Sequence, residues 1–133
     1  MTRAEILDGV KESLAKVLDI PIESIDEDSK IIQDLGADSL DFLDLSFHIQ
    51  QKFGINFSPR DDERRLQEKL GGVAAQNNGI YTPEALAELR RNMPEVPAEE
   101  FSEGLAVSAL PFLFRVSSIV NLILRLKEEP HAE

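Results

Sequence analysis

Apolar residues return with helical spacing in several stretches of this chain, separated by segments rich in proline, glycine and charge. Ile6, Val10, Leu14 and Leu18 recur every four residues, Leu7 and Val17 widen the stripe, and Lys11, Glu12 and Lys16 occupy the other face. That is the period of an amphipathic helix. Thr2-Arg3-Ala4-Glu5 opens it as a capping box, and Asp19-Ile20-Pro21 closes it, because a residue before proline avoids helical dihedrals. Pro21 to Ala37 has no period but carries Ile22, Ile25, Ile31, Ile32 and Leu35. A loop so long and so apolar is expected to pack on a core. Helical spacing resumes from about Ser39 to Phe53, with Leu40, Leu43, Phe47 and Gln50 tracing one face and Phe42, Leu45, Ile49 and Phe53 beside it. So wide an apolar surface reads first as core, with a partner-facing or ligand-lining surface as the alternative. Gly54 closes this helix as a C′ glycine.

The later half is less regular. Asp61–Leu70 is a charged helical segment, interrupted by Gly71-Gly72, and Asn77-Asn78-Gly79 signals a turn. Thr82-Pro83 supplies an N-cap and a first-turn proline for a helix over Pro83–Asn92, with Ala85, Leu86 and Leu89 inward. Pro94–Pro97 reads as a linker, and Glu99–Leu110 as a further helix broken by Gly104 and ended by Pro111. Ser117 is expected to begin the last helix, where Ile119, Val120, Leu122, Ile123, Leu124 and Leu126 are apolar and Arg125 and Lys127 suit the C-terminal end. From Leu105 to Leu126 the chain is apolar enough to raise a membrane span. Pro111, Arg115, Asn121 and Arg125 argue against it, since a central charge costs ~2.5–3.5 kcal/mol. The fold class expected is all-α.

Composition narrows the function. A net charge of −11 excludes ordinary nucleic-acid binding, which requires a basic patch, and favours basic protein partners. Residues 1–56 hold 12 acidic and 5 basic residues, against 13 and 9 in residues 57–133. The first half is therefore the more acidic. The absence of cysteine excludes disulfides, thiolate metal sites and any thiol of the chain's own. Asp26-Glu27-Asp28 lacks the glycine register of a calcium loop, so no metal is expected. The N-terminus starts a helix and not an apolar signal, which leads to a cytoplasmic expectation.

The chemistry concentrates in Asp34-Leu35-Gly36-Ala37-Asp38-Ser39-Leu40-Asp41-Phe42-Leu43-Asp44-Leu45. Asp38 is an N-cap, Asp41 stands three residues on as the reciprocal partner, and Ser39 falls in the first turn. Free N–H groups and the helix dipole favour an anionic substituent there. Ser39 is a poor hydrolase nucleophile, because the Gly-x-Ser-x-Gly elbow is missing. The histidines are His48, nine residues along the same helix and about 13 Å away, and His131 in the tail. Catalysis is therefore not expected.

Asp38-Ser39-Leu40 preceded by Leu35-Gly36 resembles the signature of the acyl carrier protein family, and the match runs from about Ile6 to Phe57 with an echo near Val116–Leu126. The resemblance implies that Ser39 receives covalent 4′-phosphopantetheine from coenzyme A, and that the arm's thiol carries acyl groups as thioesters. It implies a phosphopantetheinyl transferase as partner, together with acyl-loading and acyl-transferring enzymes whose basic patches meet Asp38, Leu40, Asp41 and Asp44. Asp44 lies beyond the cap and is the cleaner docking candidate. The fold implied is an acyl-carrier-type helical bundle, monomeric, with additional inserted helices. It forms a single domain over 1–133, with a family-like core at 1–57 and 116–127 and an insertion at 58–115. Ile55-Asn56-Phe57 resembles the family's short extended exit. Insertion residues such as Ile80, Tyr81, Leu86, Leu89, Phe101 and Phe112 are expected to be buried against the bundle or a partner. Gln50-Gln51-Lys52 departs from the glutamate run of many fatty-acid carriers, and the serine motif is most similar to carriers of very-long-chain acyl groups in lipid A assembly. A specialised fatty-acid or lipid pathway is therefore expected. The alternatives are an aminoacyl or peptidyl carrier, disfavoured by Asp38 and by the lack of a glycine pair before the serine, and an unmodified acidic interaction module.

Overall fold

The computed structural model describes residues 2–55 and 59–128. Asn56 and Phe57 of the expected exit, and His131, lie outside the described residues. The chain forms two compact units, Met1–Phe57 with Phe114–Glu133, and Ser58–Leu113. Among the described residues it is all-α apart from one small two-stranded ribbon.

In the first unit, α1 (Arg3–Leu18) packs on α2 (Ser39–Phe53) and on α5 (Val116–Glu128). The expected capping box opens α1: Glu5 N–H donates to Thr2 Oγ1 (3.2 Å) and Thr2 N–H donates to Glu5 Oε1 (2.9 Å). The backbone hydrogen bond from Thr2, reinforced by its hydroxyl, holds the Glu5 carboxyl below the ordinary glutamate range. Ile6, Val10 and Leu14 of α1 join Leu45, Ile49 and Phe53 of α2 and Val116, Ile119, Val120, Ile123 and Leu126 of α5 in one core. From the long loop, Ile25, Ile31 and Ala37 enter it, and Leu35 packs against it. Ile22 departs from expectation. It sits in a short 3₁₀ turn, Ile22–Ser24, and is exposed.

Gly9 of α1 is also buried, and the aromatic ring of Phe53 lies against it. A Cβ at Gly9 would stand 2.6 Å from Phe53 Cζ, so glycine permits the approach of α1 and α2. Gly9→Ala gains about 1 kcal/mol of helix propensity but overpacks a buried ring at a cost of about 1–3 kcal/mol. We expect a net loss of about 1 kcal/mol by urea denaturation, relieved in the double variant Gly9→Ala/Phe53→Leu. A more stable single variant would show that the ring yields freely.

α5 starts at Val116, one residue before the position expected, and its polar cap is Ser118: Arg115 N–H donates to Ser118 Oγ (3.1 Å). Ser117 is instead buried, its hydroxyl without a hydrogen-bond partner among the described residues. At the other end of α2, Gly54 takes the left-handed cap and Lys127 Nζ donates to the Phe53 carbonyl (3.0 Å).

The second unit holds α3 (Pro59–Lys69), the ribbon β1 (Gln76–Asn77) and β2 (Ile80–Tyr81), and α4 (Pro83–Asn92). The expected turn is a tight hairpin, Asn78 and Gly79 both having positive φ as a two-residue primed turn requires. Thr82 caps α4 by accepting from Ala85 N–H (3.3 Å), and Ala85, Leu86 and Leu89 are buried as expected. Tyr81 and Phe101 are buried too, but Ile80 and Phe112 are exposed. Pro94–Pro97 is more than a linker, for Val96 within it is buried.

Glu99–Leu110 is not the helix expected. Two 3₁₀ turns, Ala98–Glu100 and Val107–Leu113, flank a tight turn in which Leu105 N–H donates to the Ser102 carbonyl (3.1 Å), and Leu105 to Val107 then pair with the hairpin. Tyr81 N–H donates to the Leu105 carbonyl (3.0 Å), and Val107 N–H donates to the Gly79 carbonyl (2.8 Å). Those pairings, with Gly104 at φ 95° and Pro111 lacking a donor, prevail over the apolar pattern. No helix among the described residues is long and apolar enough to cross a membrane.

Candidate functional site

Ser39 is the first residue of α2, and the chain before it is fixed by backbone hydrogen bonds. Ile31 N–H donates to the Phe114 carbonyl, Val116 N–H to Ser29 and Ser117 N–H to Glu27, at 2.9–3.1 Å. The loop thus lies along the entry to α5, with Lys30 and Arg115 paired as an antiparallel bridge. A tight turn follows, in which Lys30 N–H donates to Asp34 Oδ2 (2.8 Å) and Asp34 and Gly36 N–H return to the Lys30 and Ile32 carbonyls. Ala37 is buried and its N–H donates to the Ile31 carbonyl (3.1 Å), pinning the last residue before the cap.

Asp38 then caps α2 in the expected reciprocal arrangement. Asp41 N–H donates to Asp38 Oδ1 (2.9 Å), and Asp38 N–H donates to Asp41 Oδ2 (3.0 Å). The short carboxylate arm of Asp41 is enough to close the box usually made with glutamate. Ser39 is exposed, and among the described residues its hydroxyl makes no hydrogen bond. The N–H groups of Ser39 and Leu40 belong to the first turn and have no intrahelical acceptor. An exposed hydroxyl beside unsatisfied N–H groups, at the positive end of a 15-residue helix, is chemically suited to carry a phosphodiester.

Asp38, Ser39, Leu40, Asp41 and Asp44 are brought together at the start of one helix. Asp38 and Asp44 are exposed, Asp41 is half-exposed, and Leu40 retains 71% exposure. The core reading of the Leu40–Leu43–Phe47 face is corrected. Leu43 is 52% and Phe47 56% exposed, while Leu45, Ser46, Ile49 and Phe53 form the buried face. The missed signal was that α2 carries two apolar arcs, separated by Ser39 and Gln50 on one side and by Asp44 and His48 on the other. Only one arc can face a core on one side. The departure at the end of α2 also has a structural role, since Lys52 Nζ donates to Glu12 Oε2 of α1 (2.7 Å).

A family model described as phosphopantetheine attachment site matches residues 8–61. The acyl carrier protein of Campylobacter hominis is 35% identical over 65 residues, which are 49% of this chain and 82% of that relative. The acyl carrier protein of Sulfurovum sp. is 42% identical over 66 residues, 50% of this chain and 85% of the relative, and that of Thermotoga maritima is 36% identical over 63 residues, 47% and 78%. The chain belongs to the acyl carrier protein family. It is accordingly a carrier and not a catalyst, with a covalently attached 4′-phosphopantetheine group, consistent with work in fatty-acid and lipid biosynthesis. Its expected partners are a phosphopantetheinyl transferase and acyl-handling enzymes.

Proposed function

We propose that Ser39 is the attachment position and that the chain shuttles acyl thioesters in a specialised fatty-acid or lipid pathway. The observation that carries the first part is the exposed, unbonded Ser39 hydroxyl held at the first turn of α2 by the Asp38–Asp41 box. The arm supplies the thiol that a cysteine-free chain lacks. Asp38, Leu40, Asp41 and Asp44 form the docking surface, with Asp38 and Asp41 serving as cap and charge at once. Residues 58–115 are an insertion in a single carrier domain, and the protein works as a cytoplasmic monomer.

Specialisation is supported by Gln50-Gln51-Lys52 where many fatty-acid carriers place glutamates, and by a segment of more than 50 residues between the family-like parts. The similarity of the serine motif to very-long-chain carriers favours a long acyl cargo over an aminoacyl one. Intact-mass analysis of the protein isolated from its native host decides both parts. A phosphopantetheinyl adduct with an acyl thioester is expected; an aminoacyl adduct would establish the carrier but overturn the cargo, and a bare chain would leave an interaction module.

Asp44 separates docking from stability. Asp44→Lys is expected to lower the kcat/KM of modification by about three- to tenfold at low ionic strength. The loss should shrink near 1 M salt, where the screening length is about 3 Å. Unfolding free energy should stay within about 0.5 kcal/mol of wild type. Unchanged kinetics with lowered stability would make Asp44 structural.

A further inference from the structure

The second unit folds around side chains of its own. Tyr81, Leu86, Leu89, Met93, Val96 and Phe101 are buried there, whereas the core of the first unit is built from α1, α2, α5 and the long loop. Its surface carries a cleft of about 230 Å³, mostly apolar, lined by Pro83, Leu86, Arg90 and Glu103. The cleft lies between α4 and the turn over Ser102–Leu105, and hydrogen bonds fix both sides. Arg90 Nε donates to the Ala98 carbonyl (3.3 Å) and Arg90 Nη2 donates to the Phe101 carbonyl, which fastens that segment to α4. Leu105 N–H donates to the Ser102 carbonyl (3.1 Å), closing a tight turn with Glu103 and Gly104 at its centre. Glu103 stands exposed at the rim, and among the described residues its carboxylate has no hydrogen bond or ion pair.

Size and charge define the occupant. The cleft is smaller than the ~300–1,000 Å³ of ordinary small-molecule sites, and it suits one long side chain. Residues 84–103 hold six glutamates against two arginines. Arg91 is paired with Glu88, and the charge of Arg90 is turned toward the two carbonyls it holds. Glu103 is therefore the ionic group that the cleft offers, with Glu84 and Glu99 also exposed on the segments beside it. An aliphatic stem along Pro83 and Leu86 with a cationic head at Glu103 satisfies both the apolar wall and the carboxylate. Lysine and arginine are the side chains built that way. Guanidinium is the better head, because it pairs with a carboxylate through two parallel hydrogen bonds. We propose that this cleft is a docking site for an arginine side chain of a protein partner, with the neighbouring glutamates steering its approach. The insertion thus gives the chain a contact surface built without Ser39 or α2. The inference stands whether or not Ser39 is modified.

The test uses the full chain, labelled for amide NMR, and three blocked peptides. These are acetyl-Ala-Leu-Arg-Leu-Ala-amide and its counterparts with norleucine or glutamate in place of arginine. The arginine peptide is expected to move the amide signals of Leu86, Glu103 and Gly104 with millimolar affinity. The norleucine peptide should bind about three- to fivefold more weakly at low salt, the range of one solvent-exposed ion pair. That preference should fade near 1 M salt, where the screening length is about 3 Å. Glu103→Gln should erase the preference and leave the melting temperature unchanged, because the side chain is exposed and unbonded. Equal binding of the arginine and norleucine peptides, or a preference that survives Glu103→Gln, would overturn the proposal. Stronger binding of the glutamate peptide would make the cleft an anion site centred on Arg90 and overturn it equally. So would the failure of all three peptides to move the signals of Leu86 and Glu103.

Discussion

Ser39→Ala is expected to abolish phosphopantetheinylation completely while leaving the fold intact. The reaction joins the serine oxygen to phosphorus, and alanine has no oxygen to supply. No neighbouring hydroxyl can substitute. Ser46 is buried, and its Oγ donates to the Phe42 carbonyl (2.9 Å). Ser13, Ser117 and Ser118 are likewise buried. The stability cost should stay within about 0.5 kcal/mol, because the Ser39 side chain is exposed and unbonded and Asp38 continues to cap the helix. Incubation with coenzyme A and a transferase should add one phosphopantetheinyl mass to wild type and none to the variant. A modified Ser39→Ala chain would move the attachment site elsewhere.

The second large effect is on stability, and it lies in the loop. Ile31→Ala should destabilise the protein by about 2–4 kcal/mol, with Ile22→Ala costing less than about 1 kcal/mol. Both are isoleucines of one irregular segment, but Ile31 is 0% exposed and Ile22 37%. Ile31 also donates its N–H to Phe114 and accepts from Ala37 (both 3.1 Å), so it joins the entry of α5 to the residue before the Asp38 cap. A cavity there therefore loosens the support of Ser39 as well as the core. Urea denaturation should rank the two variants clearly, and a lower rate of modification should accompany Ile31→Ala alone. Equal effects at both positions would mean that the loop packs as a uniform surface layer.

The elements legible in the sequence were those decided within a turn or two of chain. Thr2 with Glu5, Asp38 with Asp41, and Thr82 with Pro83 set helix starts, because a cap and the N–H groups it satisfies are three residues apart. Gly54 ended α2 for the same local reason, the ease with which glycine adopts a left-handed backbone. The position of Ser39 at a helix start was readable before any tertiary contact was known. The repeat of α1 and the apolar residues of α5 also identified most of the core those helices contribute.

Tertiary structure decided what depends on neighbours distant in sequence. Residues 99–110 carry an apolar pattern, yet the hairpin claims their backbone at Leu105 and Val107, and an intrahelical bond cannot compete for a group already paired. Gly9 reads as a weak point in a helix until the Phe53 ring is placed against it. Above all, α2 offers two apolar arcs of similar strength, and periodicity alone assigns neither to the interior. α1 packs on one side of it, burying Leu45, Ile49 and Phe53 in the common core and leaving Leu40, Leu43 and Phe47 in water. Hydrophobicity is a property of the residue, but burial is a property of what the rest of the chain places beside it.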